Sequence, residues 1–241
     1  VLERILPSDV AVVSTCADFP EAALYPEEEA AVGRAVEKRR REFVTARACA
    51  RGALAQLGLS PQAIPAGTRG EPLWPEGVVG SITHCEGYRA CAAAPSAAHS
   101  TIGVDAEVNE ALPEGVLEDI ALSGERKWVR QLTGDQPAVH WDRLLFSIKE
   151  SVYKAWFPLA ESWLGFEDAA VSIDRERRSF FARLLVPGPD VEGRELDGFS
   201  GRWLADDRLL LAAIVLPRAA PMRQAGLGQA RVMDEDWAQR R

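Results

Sequence analysis

A carboxylate and an ammonium stand one helical turn apart in the stretch Phe146-Ser147-Ile148-Lys149-Glu150-Ser151-Val152-Tyr153-Lys154-Ala155. With Trp141 at zero and ~100° per residue, Leu144, Leu145, Ile148, Val152, Ala155 and Trp156 fall within about 60° of zero. Glu150 falls at about 180° and Lys154 at about 220°, with Lys149 on the flank at about 80°. One face of this helix is therefore core, and Glu150 and Lys154 share the other. Such a pair is either a solvated i,i+4 contact worth a few tenths of a kcal/mol or a proton acceptor with a cation beside it.

Upstream, Ser100-Thr101-Ile102-Gly103-Val104-Asp105-Ala106-Glu107 reads as a β-branched strand ending in two acids. Residues i and i+2 of an extended chain point to one side, so Asp105 and Glu107 project together. A cation between them relieves their repulsion, and oxygen ligands with room left for water and phosphate suit Mg²⁺. Asp-x-Glu is also a common solvated pattern, so the acids alone do not decide the matter. Positive charge gathers elsewhere: Lys38, Arg39, Arg40, Arg41, Arg47 and Arg51 lie within fourteen residues of a chain whose net charge is −8. An acidic protein with one basic stripe suits a small polyanion better than a nucleic acid, which demands broad basic surface. The other reading of that stripe is a solvated basic face.

These side chains need elements to hold them. At 241 residues, 47% hydrophobic and 27% charged, the chain can bury a substantial core and is long for one domain. No apolar run approaches the roughly 20 residues of a membrane span, and the first residues lack the pattern of a signal peptide. Cys16, Cys49, Cys85 and Cys91 show no CxxC spacing, so neither zinc nor a disulfide framework is expected, and free thiols of a cytoplasmic protein are.

A helix is expected to start at Pro26-Glu27-Glu28-Glu29 and to run on helical spacing through Val32, Val36, Phe43, Ala46, Ala50, Leu54 and Leu57 to Gly58. Residues 62–77 are a Pro- and Gly-rich loop. Strands are expected at 78–83, 89–94 and 101–106, then a mobile loop or short helix at 108–124, and the Glu150 helix from Pro137. Further strands follow at 169–173, 179–186, 201–204 and 209–216, with a turn at Asp206-Asp207. This order is α+β. Past Pro217 periodicity fades, and a loosely packed extension over 217–241 is expected.

The motifs occur in one order: Lys38 to Arg51, then Arg69-Gly70-Glu71-Pro72-Leu73-Trp74-Pro75, Gly80-Ser81-Ile82-Thr83-His84-Cys85, Gly103-Val104-Asp105-Ala106-Glu107, and the Lys149-Glu150…Tyr153-Lys154-Ala155 helix. In that order they resemble the Sfp-type 4′-phosphopantetheinyl transferases, nearest to the actinobacterial and enterobactin-synthase-component-D-like subgroup. The resemblance runs from about residue 25 to 216. It implies a monomer of two similar α+β halves related by a pseudo-twofold axis, 1–100 and 101–216, with coenzyme A between them. It also implies transfer of the phosphopantetheine arm of coenzyme A to a serine of an acyl or peptidyl carrier protein of fatty-acid, polyketide or nonribosomal peptide synthases. Adenosine 3′,5′-bisphosphate would leave.

On that resemblance Asp105, Glu107 and Glu150 would hold Mg²⁺, with Mn²⁺ an admissible substitute. Glu150 would also take the serine proton, directly or through water, although metal ligation lowers a carboxylate's basicity. Lys154 would meet the transferred phosphate. Arg39, Arg47, Lys149, Ser81, Thr83 and His84 would hold coenzyme A phosphates, with Arg40 and Arg41 leaving the helical register open. His84 taken alone reads as a hydrogen-bonded structural residue. Arg69 and the Gly70-Glu71-Pro72 turn would position the adenine end. The leucines of 108–124 would meet the carrier protein; their other reading is packing onto the C-terminal half. No nucleic-acid or membrane partner is expected. Two rival functions are a non-catalytic coenzyme A or carrier-binding module, which would not need a base, and a Mg²⁺-dependent nuclease, which the acidic net charge disfavours.

Overall fold

The computed structural model describes residues 1–218, so all but the first two residues of the expected extension lie outside the described residues. Two antiparallel sheets carry one long helix each. In the N-terminal half, β1 (Ala11–Thr15), β2 (Val78–Cys85) and β3 (Tyr88–Pro95) pair in the order β1-β3-β2. Helix α2 (Glu37–Gln56) covers this sheet through Cys49, Ala50, Ala53 and Leu54, which meet Ala11, Cys91 and Ala93. The residues facing each other here are small, which lets helix and sheet approach closely.

The C-terminal half has the sheet order β4-β10-β9-β6-β5. Its strands are β4 (His99–Val108), β5 (Ala169–Asp174), β6 (Ser179–Leu184), β9 (Gly198–Ala205) and β10 (Leu209–Pro217). Strands β7 (Asp190–Val191) and β8 (Arg194–Glu195) form a separate short hairpin. Helix α5 (Trp141–Ala160) lies on this sheet with the predicted apolar face: Trp141, Leu144, Leu145, Ile148, Val152, Ala155 and Trp156 are all buried. It crosses β4 at Gly103, where a Cβ would run into the backbone of Ser151 and Ala155. Only glycine lets the helix sit this low on the strand.

The architecture is α+β, as expected, but several boundaries differ. The helix expected from Pro26 to Gly58 is broken into α1 (Pro26–Glu29) and α2. Glu28 is fully buried; its carboxylate accepts from Arg51 at 3.0 Å, from the Ile64 N–H at 2.9 Å and from the Tyr25 N–H at 3.0 Å. In one continuous helix Glu28 and Arg51 would lie about 34 Å apart along the axis, so the chain must turn back to pair them. The Glu150 helix starts at Trp141 rather than Pro137. The polar segment before it holds α3 (Val116–Ile120), within the stretch expected as a mobile loop or short helix, and α4 (Ser123–Asp135), which runs on past the end of that stretch. Helix α4 is anchored by Val129 and Leu132 in the C-terminal core.

Side chains join the two halves along β2 and β4, which belong to different sheets. Ser81 Oγ accepts the Val104 N–H at 3.1 Å and Thr83 Oγ1 accepts the Ala106 N–H at 2.9 Å. Buried backbone donors need partners, and β2 supplies hydroxyls where a ladder would supply carbonyls.

Candidate functional site

A cavity of about 670 Å³ opens along this seam. Helix α2 contributes Arg39 and Arg47 to its wall, β2 contributes Ser81 and His84, and the loop before β2 contributes Arg69, Gly70, Glu71 and Pro72. Glu150 and Lys154 line it from α5. Residues from both halves, up to 122 positions apart in the chain (39 to 161), thus face one space.

The N-terminal wall is built for an anion. Arg47 is buried, yet its Nε and one terminal nitrogen have no hydrogen-bond partner. Its guanidinium stacks 4.2 Å from the Phe43 ring centroid. Burial lowers its pKa to about 10, which still leaves it charged at neutral pH. An unpaired buried guanidinium is costly and is relieved by an anion supplied from outside. His84 Nε2 is in contact with Arg39. Its pKa is lowered to about 4, first by burial and then by Arg39, Lys154, Arg89 and Arg47, so the ring is neutral at pH 7. Arg40, in contrast, pairs with Glu29 at 2.8 Å and Arg41 with Glu37 at 3.4 Å and Asp18 at 3.6 Å. The register left open by the sequence thus places Arg39 and Arg47, not Arg40 and Arg41, on the cavity.

The acids sit at the other end. Asp105 is buried on β4, with Oδ1 accepting from Lys154 Nζ at 2.7 Å and Oδ2 buried without a partner. Glu107 Oε2 accepts from Arg143 at 2.9 Å. Glu150 makes no hydrogen bond or ion pair with the described residues. Burial raises the pKa of both Glu107 and Glu150, and the Asp105 charge raises each further. Among the described residues no three such side chains stand in a metal-holding arrangement as placed. The donor set nonetheless fits a hard divalent cation: the oxygens are hard, one of them is an orphan, and the carboxylates repel one another.

Lys149 is a correction. It does not face the large cavity: its ammonium is buried, pairing with Glu125 Oε2 at 2.8 Å and donating to the Phe166 carbonyl at 2.6 Å and the Ala169 carbonyl at 3.1 Å. All three of its donors are spent on protein, leaving none for a phosphate. Thr83 is a second correction: it is buried off the cavity wall, and its hydroxyl serves the seam and touches Asp105 Oδ1 at 3.4 Å. Ser81 does line the cavity, although its oxygen accepts from Val104.

Sequence reasoning missed Arg143, Arg89, Glu42 and Glu125. Arg143 was within reach, because at ~100° per residue it falls at about 200°, on the same helix face as Glu150 and Lys154. It also donates to the Glu110 and Ala111 carbonyls at 3.2 and 2.9 Å, tying the segment after β4 to α5. No periodicity marks Arg89, which is buried on β3 within 3.1 Å of Asp18 and 3.6 Å of Glu42. Of the segment expected to meet a carrier protein, Ile120 is core, whereas Leu112, Val116 and Leu117 are half-buried and pack at its edge.

Comparison with known proteins accords with this geometry. Residues 27–94 match the model of the 4′-phosphopantetheinyl transferase N-terminal domain, and residues 101–197 match that of the 4′-phosphopantetheinyl transferase superfamily. The chain is 50% identical over 226 residues to 4′-phosphopantetheinyl transferase Svp of Streptomyces mobaraensis, covering 92% of this chain and 91% of that protein. It is 48% identical over 223 residues to Npt of Nocardia iowensis (89% and 99% covered). It is 44% identical over 225 residues to PptT of Mycobacterium tuberculosis (90% and 96% covered). The chain therefore belongs to the 4′-phosphopantetheinyl transferases, enzymes that move the phosphopantetheine arm of coenzyme A onto carrier proteins.

Proposed function

We propose that the cavity along the seam is the transfer site, with coenzyme A phosphates on Arg39, Arg47 and His84 and the adenine end at Arg69 and Gly70-Glu71-Pro72. The observation that carries this reading is the joint wall: the unpaired guanidinium of Arg47 in the N-terminal half and, from α5, the free carboxylate of Glu150 with the Asp105-bound ammonium of Lys154 face one space.

Glu150 accepts the proton of the carrier serine hydroxyl, directly or through one water. The serine oxygen then bonds to the β-phosphorus, and the bond to the departing adenosine 3′,5′-bisphosphate breaks. Burial and the Asp105 charge raise the proton affinity of Glu150, which a general base needs at neutral pH. Lys154, anchored by Asp105 and by the Val104 carbonyl at 3.2 Å, presents its charge to the phosphate as negative charge develops. Asp105, Glu107 and Glu150 would hold Mg²⁺, which would supply Lewis-acid neutralisation of the pyrophosphate charge.

Acyl carriers of fatty-acid and polyketide synthases and peptidyl carriers of nonribosomal synthetases are the proposed acceptors, docking on Leu112, Val116 and Leu117 beside the acids. A cytoplasmic monomer is part of the same proposal. All four cysteines are free thiols, and among the described residues no helix is long and apolar enough to cross a membrane.

Mass spectrometry of a carrier protein incubated with the enzyme, coenzyme A and Mg²⁺ tests the reading. A gain of about 340 Da on the carrier is the expected outcome of the group transfer. Coenzyme A binding without any gain on every carrier class tried would instead support a binding module.

A further inference from the structure

A smaller cavity of about 180 Å³ adjoins Glu150. It is closed on one side by Trp163, Leu164, Gly165 and Phe166, and on the other by Lys149, Val152 and Tyr153 of α5. The closing segment holds little regular structure beyond one short 3₁₀ turn, Phe166–Asp168. Something else must fix it against the helix.

The buried pair Lys149–Glu125 does so. From Lys149 Nζ the three contacts reach Glu125 on α4, the Phe166 carbonyl at the end of the closing segment and the Ala169 carbonyl at the start of β5. Glu125 completes the joint: its Oε2 accepts the Leu122 N–H at 2.7 Å and its Oε1 accepts the Val171 N–H at 2.7 Å. Both side chains are at most 3% exposed. Four segments thus meet at one ion pair, and Lys149 is the chain neighbour of Glu150. An apolar pair could fill this space, but it could not bind the two carbonyls and two amide N–H groups that converge on it.

We propose that Lys149 and Glu125 are positioning residues for transfer: they lock the Trp163–Phe166 wall onto α5 and so fix the cavity next to Glu150. This rests on the transfer-site reading above. The clamp touches none of the cations proposed to hold coenzyme A phosphates, so its loss is felt in turnover more than in the affinity of the phosphate end.

The test compares K149M, E125Q and the double variant K149M/E125L with the wild-type protein, reading melting temperature, kcat, and affinity for adenosine 3′,5′-bisphosphate. Each single variant strands one buried partner and is expected to melt about 10 °C lower. The double variant strands no charge but leaves the four backbone groups without these partners, so it regains only part of that loss. Its kcat stays at least tenfold below wild type, measured well below its melting temperature, while affinity for adenosine 3′,5′-bisphosphate stays within threefold. Recovery of kcat together with melting temperature in the double variant overturns the proposal, because the pair would then be only structural. K149R, which keeps the charge, is expected to retain more turnover than K149M; equal turnover of the two also counts against positioning. Absence of phosphopantetheine transfer by the wild-type protein under the same conditions would instead refute the transfer-site reading itself.

Discussion

Replacing Glu150 with glutamine separates catalysis from folding, and the structure sets both magnitudes. Glu150 has no hydrogen bond or ion pair with the described residues, so the amide breaks no structural contact. Its folded pKa is raised above the ordinary carboxylate value by burial and by the charges of Asp105 and Glu107, with Lys154 partly opposing. A raised carboxylate favours the protonated folded state, so its contribution to stability is full below the unfolded pKa and is lost as pH rises through the folded pKa. At pH 7 the ionised group therefore works against folding, and Glu150→Gln removes that strain. The expected variant is at least as stable as the parent at pH 7, and its advantage disappears near pH 4. Turnover moves the other way. General-base catalysis contributes about 10²–10⁴-fold, that is about 3–5 kcal/mol of barrier, and an amide cannot accept the serine proton. Coenzyme A affinity is expected within about tenfold of the parent, about 1.4 kcal/mol, because Arg39, Arg47 and His84 are untouched. A time course of the mass gain on the carrier, with thermal melts at pH 7 and pH 4, reads all three quantities. A variant that melts many degrees lower at pH 7, or one that turns over like the parent, refutes the assignment.

Arg47→Ala is expected to raise KM for coenzyme A by about 10–100-fold, the range of a charged hydrogen bond, with a smaller effect on kcat. The melting temperature should hold, because two guanidinium nitrogens of Arg47 are unpaired in the free protein; steady-state kinetics and a melt check both. His84, with a folded pKa of about 4 against about 6.5 unfolded, contributes stability that is present above pH 6.5 and is lost as pH falls toward 4. Melting curves of His84→Gln should accordingly fall less steeply than those of the parent across that interval, and parallel curves would contradict the neutral, half-buried ring. Leu117→Glu is expected to raise KM for the carrier with only a few degrees of melting loss, whereas Ile120→Asp, at a core position, should unfold the C-terminal half. A large melting loss at Leu117 would move the docking surface elsewhere.

Local period carried much of this protein in its sequence. The apolar face of α5 was readable because residues three and four apart must share a side, and the same rule placed Glu150 and Lys154 together opposite the core. Alternation along β4 likewise paired Asp105 with Glu107, and the Asp206 turn marked where β9 returns as β10. Tertiary packing alone decided what each charge would meet. Lys149, on the flank of the same helix, looked like another phosphate ligand until α4 and the Phe166 turn buried it against Glu125. Thr83 and Ser81 looked like ligands too, and the seam between two sheets turned them into acceptors for Ala106 and Val104. Arg39 and Arg47 matched best in the sequence, but the register stayed open until Glu29, Glu37 and Asp18 claimed Arg40 and Arg41. The physical reason is common to all of these. A helix or strand face is set by neighbours within a turn or two, whereas the partners that settled these side chains lie 11 to 24 residues away, apart from Glu37 beside Arg41, and meet them only when the chain packs.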